Sequence, residues 1–168
     1  KQVAASNWTD WRWQLKHSVS RVATFERLLG VELDPKEKRR IEMTLKKFPM
    51  SITPYYLSLI DRADYRNDPV FRQAFPDAQE LIIDSCDMTD PLAEDRDSPA
   101  PGITHRYPDR VLFHVSNVCS MYCRFCTRSY AVGGSTDSVE KEGYKPMDAR
   151  WKAAFAYLVS RPEIEDVV

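Results

Sequence analysis

The chain has 168 residues, 43% hydrophobic and 29% charged, with a formal net charge of −1. That balance suits one globular domain or one and a half, and near-neutral charge argues against bulk nucleic-acid binding. No apolar run approaches the ~20 residues of a membrane span, and the first eight residues lack the apolar core of a secretory signal, so neither a membrane span nor a leader is expected.

In chain order, Trp8, Trp11, Leu15, Val19 and Val22 recur at three- and four-residue steps and predict one apolar helical stripe. Phe25, Leu28 and Leu29 continue it to a C-cap at Gly30. The tryptophans at 8, 11 and 13 are expected to pack in that stripe rather than stack on a ligand. Asp34-Pro35 is an N-cap followed by a proline at the first helical position, and predicts a helix over 36–47. Its buried face should be Ile41, Leu45 and Phe48, and Pro49 stops it. Thr53-Pro54 and Asp68-Pro69 repeat the start signal before helices at 55–60 and 70–74. Lys36, Lys38, Arg39 and Arg40 alternate with Glu37 and Glu42, the pattern of a solvated helix face.

Over 81–101 the character changes. Asp84, Asp87, Asp90, Glu94, Asp95 and Asp97 face only Arg96, and Pro91, Pro99 and Pro101 break regular structure. An extended acidic connector is expected there, in preference to a carboxylate metal site. A β-branched apolar run over 110–116 predicts a buried strand. A cysteine loop follows it, then Gly133-Gly134-Ser135 and a charged loop to Lys145. A helix over 146–160, with Trp151, Ala154, Phe155 and Leu158 on one face, precedes a strand over 164–168. Strand, loop, helix, strand is a βαβ unit and implies a parallel sheet.

The cysteine loop is the segment that carries chemistry. Cys119, Cys123 and Cys126 form C-x3-C-x2-C within Val115-Ser-Asn-Val-Cys-Ser-Met-Tyr-Cys-Arg-Phe-Cys-Thr-Arg128. Three close thiols on one loop can hold an iron–sulfur cluster that keeps one iron open to a ligand. Structural zinc prefers four ligands in separated pairs, and here the fourth would have to be His114 or Cys86. Cys86 is expected to be a buried free thiol. Four cysteines, three of them clustered, make a poor disulfide framework and point to a reducing, cytoplasmic compartment. From His105 to Arg128 there are four arginines (106, 110, 124, 128) against one acid, Asp109, so the segment suits an anionic centre and anionic ligands. For Arg124 a plain surface ion pair is an equal alternative. The loop follows a strand of a parallel sheet, where such folds place their sites.

C-x3-C-x2-C with Phe125 before the last cysteine resembles the radical S-adenosylmethionine superfamily. Thr104-His-Arg-Tyr-Pro-Asp-Arg-Val-Leu-Phe113 and the cysteine loop resemble, more narrowly, the lysine 2,3-aminomutase family. Asp10-Trp-Arg-Trp-Gln-Leu15, Ile52-Thr-Pro-Tyr-Tyr56, Asp90-Pro-Leu-x-Glu-Asp and Ser98-Pro-x-Pro-Gly102 agree, so the likeness runs through nearly the whole chain. It implies a 4Fe-4S cluster on Cys119, Cys123 and Cys126, with S-adenosylmethionine on the open iron and its adenine near Phe125. Cleavage of that molecule would yield a 5′-deoxyadenosyl radical, so no side chain is itself the catalyst.

The resemblance further implies pyridoxal phosphate near Arg106, Tyr107 and Arg110, and Arg128 on the substrate carboxylate. An amino-acid substrate, most closely L-lysine going to L-β-lysine, an electron donor and a homo-oligomeric full-length protein go with it. Ser129-Tyr130-Ala131 stands where relatives often carry further arginines, so a glutamate, arginine or protein-bound lysine substrate is an alternative. A zinc-binding or interaction module without catalysis is the alternative of another class. The expected fold is α/β: a helical region with its acidic connector over 1–103, then over 104–168 the first βα unit of a partial TIM-type barrel. The family's pyridoxal lysine and glycine-rich S-adenosylmethionine contact are expected beyond Val168, leaving an N-terminal piece inactive by itself.

Overall fold

Proline-led caps start three of the helices. In the computed structural model, which describes residues 3–88, 90–135 and 149–168, Asp34 accepts hydrogen bonds from the backbone N–H groups of Lys36 and Glu37. Asp68 accepts from that of Phe71. The helices in order are α1 (Ala5–Trp8), α2 (Trp11–Lys16), α3 (Val22–Leu29), α4 (Pro35–Lys47), α5 (Pro54–Ser58) and α6 (Pro69–Ala74). A 3-10 turn, Ala78–Leu81, follows under a capping box of Asp77 and Glu80. Gly30 ends α3 with φ +76°, the left-handed conformation that glycine adopts without a Cβ penalty. No helix among the described residues is long and apolar enough to cross a membrane.

The described residues fall into two units. One takes in the chain to Ile83 together with the stretch from Cys119; the other takes in Asp84 to Val118 together with 149–168. In the first unit the core gathers Val19, Val22, Phe25, Leu29, Ile41, Met50, Ile52, Phe75 and Met121, all buried. Phe25 is fully buried, its ring centroid 4.4 Å from that of Phe75 and 5.7 Å from that of Phe71. Ile52 lies at the centre as an extended residue, bridged antiparallel to Val19 on one side and Met121 on the other. The backbone N–H groups of Val19 and Ile52 donate to each other's carbonyls at 2.7 and 3.0 Å.

The single apolar stripe expected over residues 8–22 is broken. Helix α1 ends at Trp8 and Asp10 starts a new helix, accepting from the N–H of Arg12 at 3.0 Å. The restart changes the helical phase and turns Trp11 outward, 59% exposed. Trp11 therefore does not pack in a core. Trp13 instead stacks on His17, with ring centroids 4.3 Å apart. Gln14 takes the buried place; its side-chain amide donates to the Trp8 carbonyl and its oxygen accepts from the N–H of Tyr55. On α4, Ile41 is buried as expected, Leu45 and Phe48 are half-buried, and Thr44 shares the inner face.

In the second unit, β1 (Ile103–Tyr107) and β2 (Arg110–Phe113) form an antiparallel hairpin turned at Pro108-Asp109. Helix α7 (Ala149–Val159) follows, and β3 (Asp166–Val167) lies parallel to β2 with Val111 opposite Val167. The parallel pairing is the one a βαβ unit implies. The predicted strand over 110–116 is regular only to Phe113, although the His114 N–H still donates to the Gly102 carbonyl at 2.8 Å. The charged loop expected after Ser135 and the first turn of the 146–160 helix lie outside the described residues. Ile103, Val111 and Ala154 are buried together, with Phe113, Tyr157, Leu158 and Ile164 around them.

The acidic connector folds on its own carboxylates. Asp90 accepts from the backbone N–H groups of Glu94 and Asp95 at 2.9 and 3.0 Å, and Asp84 caps the turn at Ser85 and Cys86. Cys86 on this turn is exposed, not buried. The backbone N–H groups of Asp95 and then Glu94 hold the Asp90 carboxyl below the usual carboxylate range. A depressed folded pKa contributes stability that is present above the unfolded value and lost as pH falls through the folded one. Amide protection at Glu94 and Asp95 is therefore expected to be constant above about pH 4 and to fall below it. Hydrogen exchange followed by NMR, with rates divided by the intrinsic rate at each pH, checks this. In Asp90→Asn the protection factors at Glu94 and Asp95 should no longer change through that range.

Candidate metal centre

The cysteine loop is seated on the helical unit by main-chain bonds before any side chain is considered. Met121 pairs with Ile52, the Tyr122 N–H donates to the Ser51 carbonyl at 3.0 Å, and the Arg124 N–H donates to the Gln73 carbonyl at 2.9 Å. Tight turns then wind the loop. The Cys126 N–H donates to the Cys123 carbonyl, the Ser129 N–H to the Cys126 carbonyl, and the Ala131 N–H to that of Arg128. The winding puts Cys123 and Cys126 on one small cavity of about 80 Å³, lined also by Pro49, Ala74, Tyr122 and Val132.

Tyr122 lies against Gly133 so closely that a Cβ there would meet its hydroxyl at 2.5 Å, and Gly133 also has φ +80°. The backbone conformation favours glycine at this position, and any side chain there would also displace the Tyr122 ring. Burial, and after it the neighbouring Cys119, push the Tyr122 hydroxyl above its ordinary range.

Cys119, Cys123 and Cys126 are all free thiols and all half-buried. Among the described residues, no three His, Cys, Asp or Glu side chains converge on a point where one ion could sit. A cubane cluster does not ask for that, since each of three cysteines binds a different iron. As a donor set, three unpaired thiols on one wound loop fit such a cluster.

Cys123 has a neighbour from far along the chain: the Gln73 side-chain amide, whose nitrogen lies 3.7 Å from its sulfur. Nothing local in the sequence marks Gln73, because it is fifty residues upstream. Arg124 is taken up by an ion pair, the plainer of its two expected roles. Its Nε donates to Glu80 Oε1 at 2.5 Å, its Nη1 donates to the Arg72 carbonyl at 3.1 Å, and Asp77 lies at 4.0 Å. Phe125 projects outward, 70% exposed, and Arg128 is half-buried two residues past the last cysteine.

The residues expected near pyridoxal phosphate lie in the other unit. Arg106 donates to Asp97 Oδ2 at 2.9 Å and to the Leu92 carbonyl. Arg110 is paired bidentately with Asp109 at 3.1 and 2.8 Å. Tyr107 stands opposite Arg110 in the hairpin register and is 60% exposed. The hairpin thus brings Tyr107 and Arg110 together, while Arg106 is held by the connector.

No family model matches the chain. Its whole length is 45% identical to the L-lysine 2,3-aminomutases of Methanococcus maripaludis and Clostridium subterminale. Over 162 residues it is 35% identical to the glutamate 2,3-aminomutase of Clostridioides difficile. The chain spans 36–38% of the length of these curated relatives.

Proposed function

Because the chain belongs to the lysine 2,3-aminomutase family, matching its N-terminal portion, we propose that it is the cluster-bearing part of a radical S-adenosylmethionine 2,3-aminomutase acting on L-lysine. The observation that carries the proposal is the set of three free thiols on one seated loop, in a chain whose similarity to these relatives runs from end to end. When bound, the cluster would supply one electron for reductive cleavage of S-adenosylmethionine, and pyridoxal phosphate would supply a conjugated system able to stabilise a radical.

The chain's own residues do the holding and orienting. Cys119, Cys123 and Cys126 are the cluster ligands, and the half-buried setting keeps water from much of the thiolate surface. Phe125 offers an exposed aromatic face to an adenine. Arg128 offers a guanidinium whose planar fork matches a carboxylate. Tyr107 offers an exposed hydroxyl-bearing ring near a phosphate, and Arg106 and Arg110 would serve it by exchanging their pairs with Asp97 and Asp109. The β2–α7–β3 unit is proposed as the opening of the barrel. Lysine is preferred to glutamate as substrate because several relatives named for lysine stand at 42–45% identity, against 35% for a relative named for glutamate.

Anaerobic reconstitution with iron and sulfide tests the proposal. Cubane-type absorption and a reduced-state EPR signal that shifts on adding S-adenosylmethionine are expected. Stoichiometric tetrahedral zinc, with no such shift, would sink the proposal in favour of a non-catalytic metal module.

A further inference from the structure

Gln73 meets the cysteine loop twice. Its carbonyl accepts from the Arg124 N–H at 2.9 Å, and its side-chain nitrogen lies 3.7 Å from the Cys123 sulfur. The main-chain bond and the capped helix α6, which carries Gln73 in its last turn, fix where its backbone stands beside the loop. In the free thiol, the Cys123 sulfur faces the Met121 carbonyl at 4.0 Å as well. A sulfur bound to iron has lost its proton and can only accept, so the carbonyl contact no longer serves it, while the amide N–H does. The same loss of the proton decides which end of the Gln73 amide must face the sulfur.

We propose that Gln73 is a positioning residue that donates a hydrogen bond to the Cys123 ligand and raises the reduction potential of the cluster. The inference rests on the proposed cluster. An N–H···S bond strengthens as the cluster gains negative charge, so it favours the reduced state over the oxidised one. Because cleavage of S-adenosylmethionine begins from the reduced cluster, Gln73 would govern how much of the protein stands ready to react. The half-buried site keeps competing water donors few.

The test is a redox titration, followed by EPR, of the full-length protein reconstituted anaerobically. The unsubstituted protein is measured first; failure to take up iron and sulfide overturns the proposed cluster, and this inference with it. Gln73→Leu keeps the size and the main-chain bond to Arg124 but removes the donor. The expected result is wild-type iron content and an equilibrium constant for one-electron reduction about tenfold smaller, which is about 59 mV more negative. Gln73→Glu sets an acceptor against the sulfur and should shift the potential at least as far in the same direction. An unchanged potential in Gln73→Leu with full iron content overturns the proposal. So does loss of the cluster in both variants, because a residue that only tunes the potential is not needed for assembly.

Discussion

Cys123→Ala is expected to abolish cluster assembly, whereas Cys86→Ala should leave it intact. Cys123 is the best seated of the three thiols. It packs against the core of the helical unit, its neighbours Tyr122 and Arg124 are hydrogen-bonded to Ser51 and Gln73, and it shares a cavity with Cys126. Three ligands are the fewest that hold a cubane with one open iron, so removing one leaves an under-coordinated cluster that is readily lost. Cys86 sits exposed on a turn of the acidic connector. Iron and sulfide per chain after anaerobic reconstitution, with the absorption spectrum, provide the measurement. Cys123→Ala should fall to the background of a chain without cluster, with Cys86→Ala equal to wild type. Equal loss in both would show that the ligand set has been chosen wrongly.

Phe25→Ala should cost about 3–5 kcal/mol of stability, the range for removing a fully buried phenylalanine. Phe25 has no exposed surface and packs on Phe75 and, less closely, on Phe71, which themselves stack at 4.8 Å. The cavity left behind would lie under α6, the helix that carries Gln73. The loss should thus reach the cysteine loop although Phe25 is not one of its residues. Chemical denaturation followed by far-UV circular dichroism measures the stability, and a loss below about 1 kcal/mol would mean that the aromatic cluster is loosely packed. Leu28, one turn away and 43% exposed, provides the control, and its alanine variant should change stability by no more than about 0.5 kcal/mol.

What the sequence reveals and what it hides follow from the range of each interaction. The helix starts at Asp34-Pro35 and Asp68-Pro69, and the end at Gly30, are decided by residues within one turn of each other, and each is found where a local rule puts it. The cysteine run is equally local, since three ligands within eight residues are read from spacing alone. The tryptophan stripe misleads because periodicity assumes a continuous helix, and the Asp10 cap interrupts it. The β1–β2 hairpin does carry a local signal, Pro108-Asp109, but that segment draws attention as a motif before it does as a turn. Gln73, Ser51 and Glu80 are hidden for the opposite reason. Their partners lie 44 to 71 residues away, and no short window contains both ends.

The central place of Ile52, between Val19 and Met121, means that the cysteine motif is not portable. A peptide holding only 115–128 would keep every ligand and lose the surface on which they are arranged. It would have to order its own backbone against a cost of about 1–2 kcal/mol per residue. Grafting the motif onto another scaffold therefore means carrying over three segments from distant parts of the chain, joined by single bridges at Ile52.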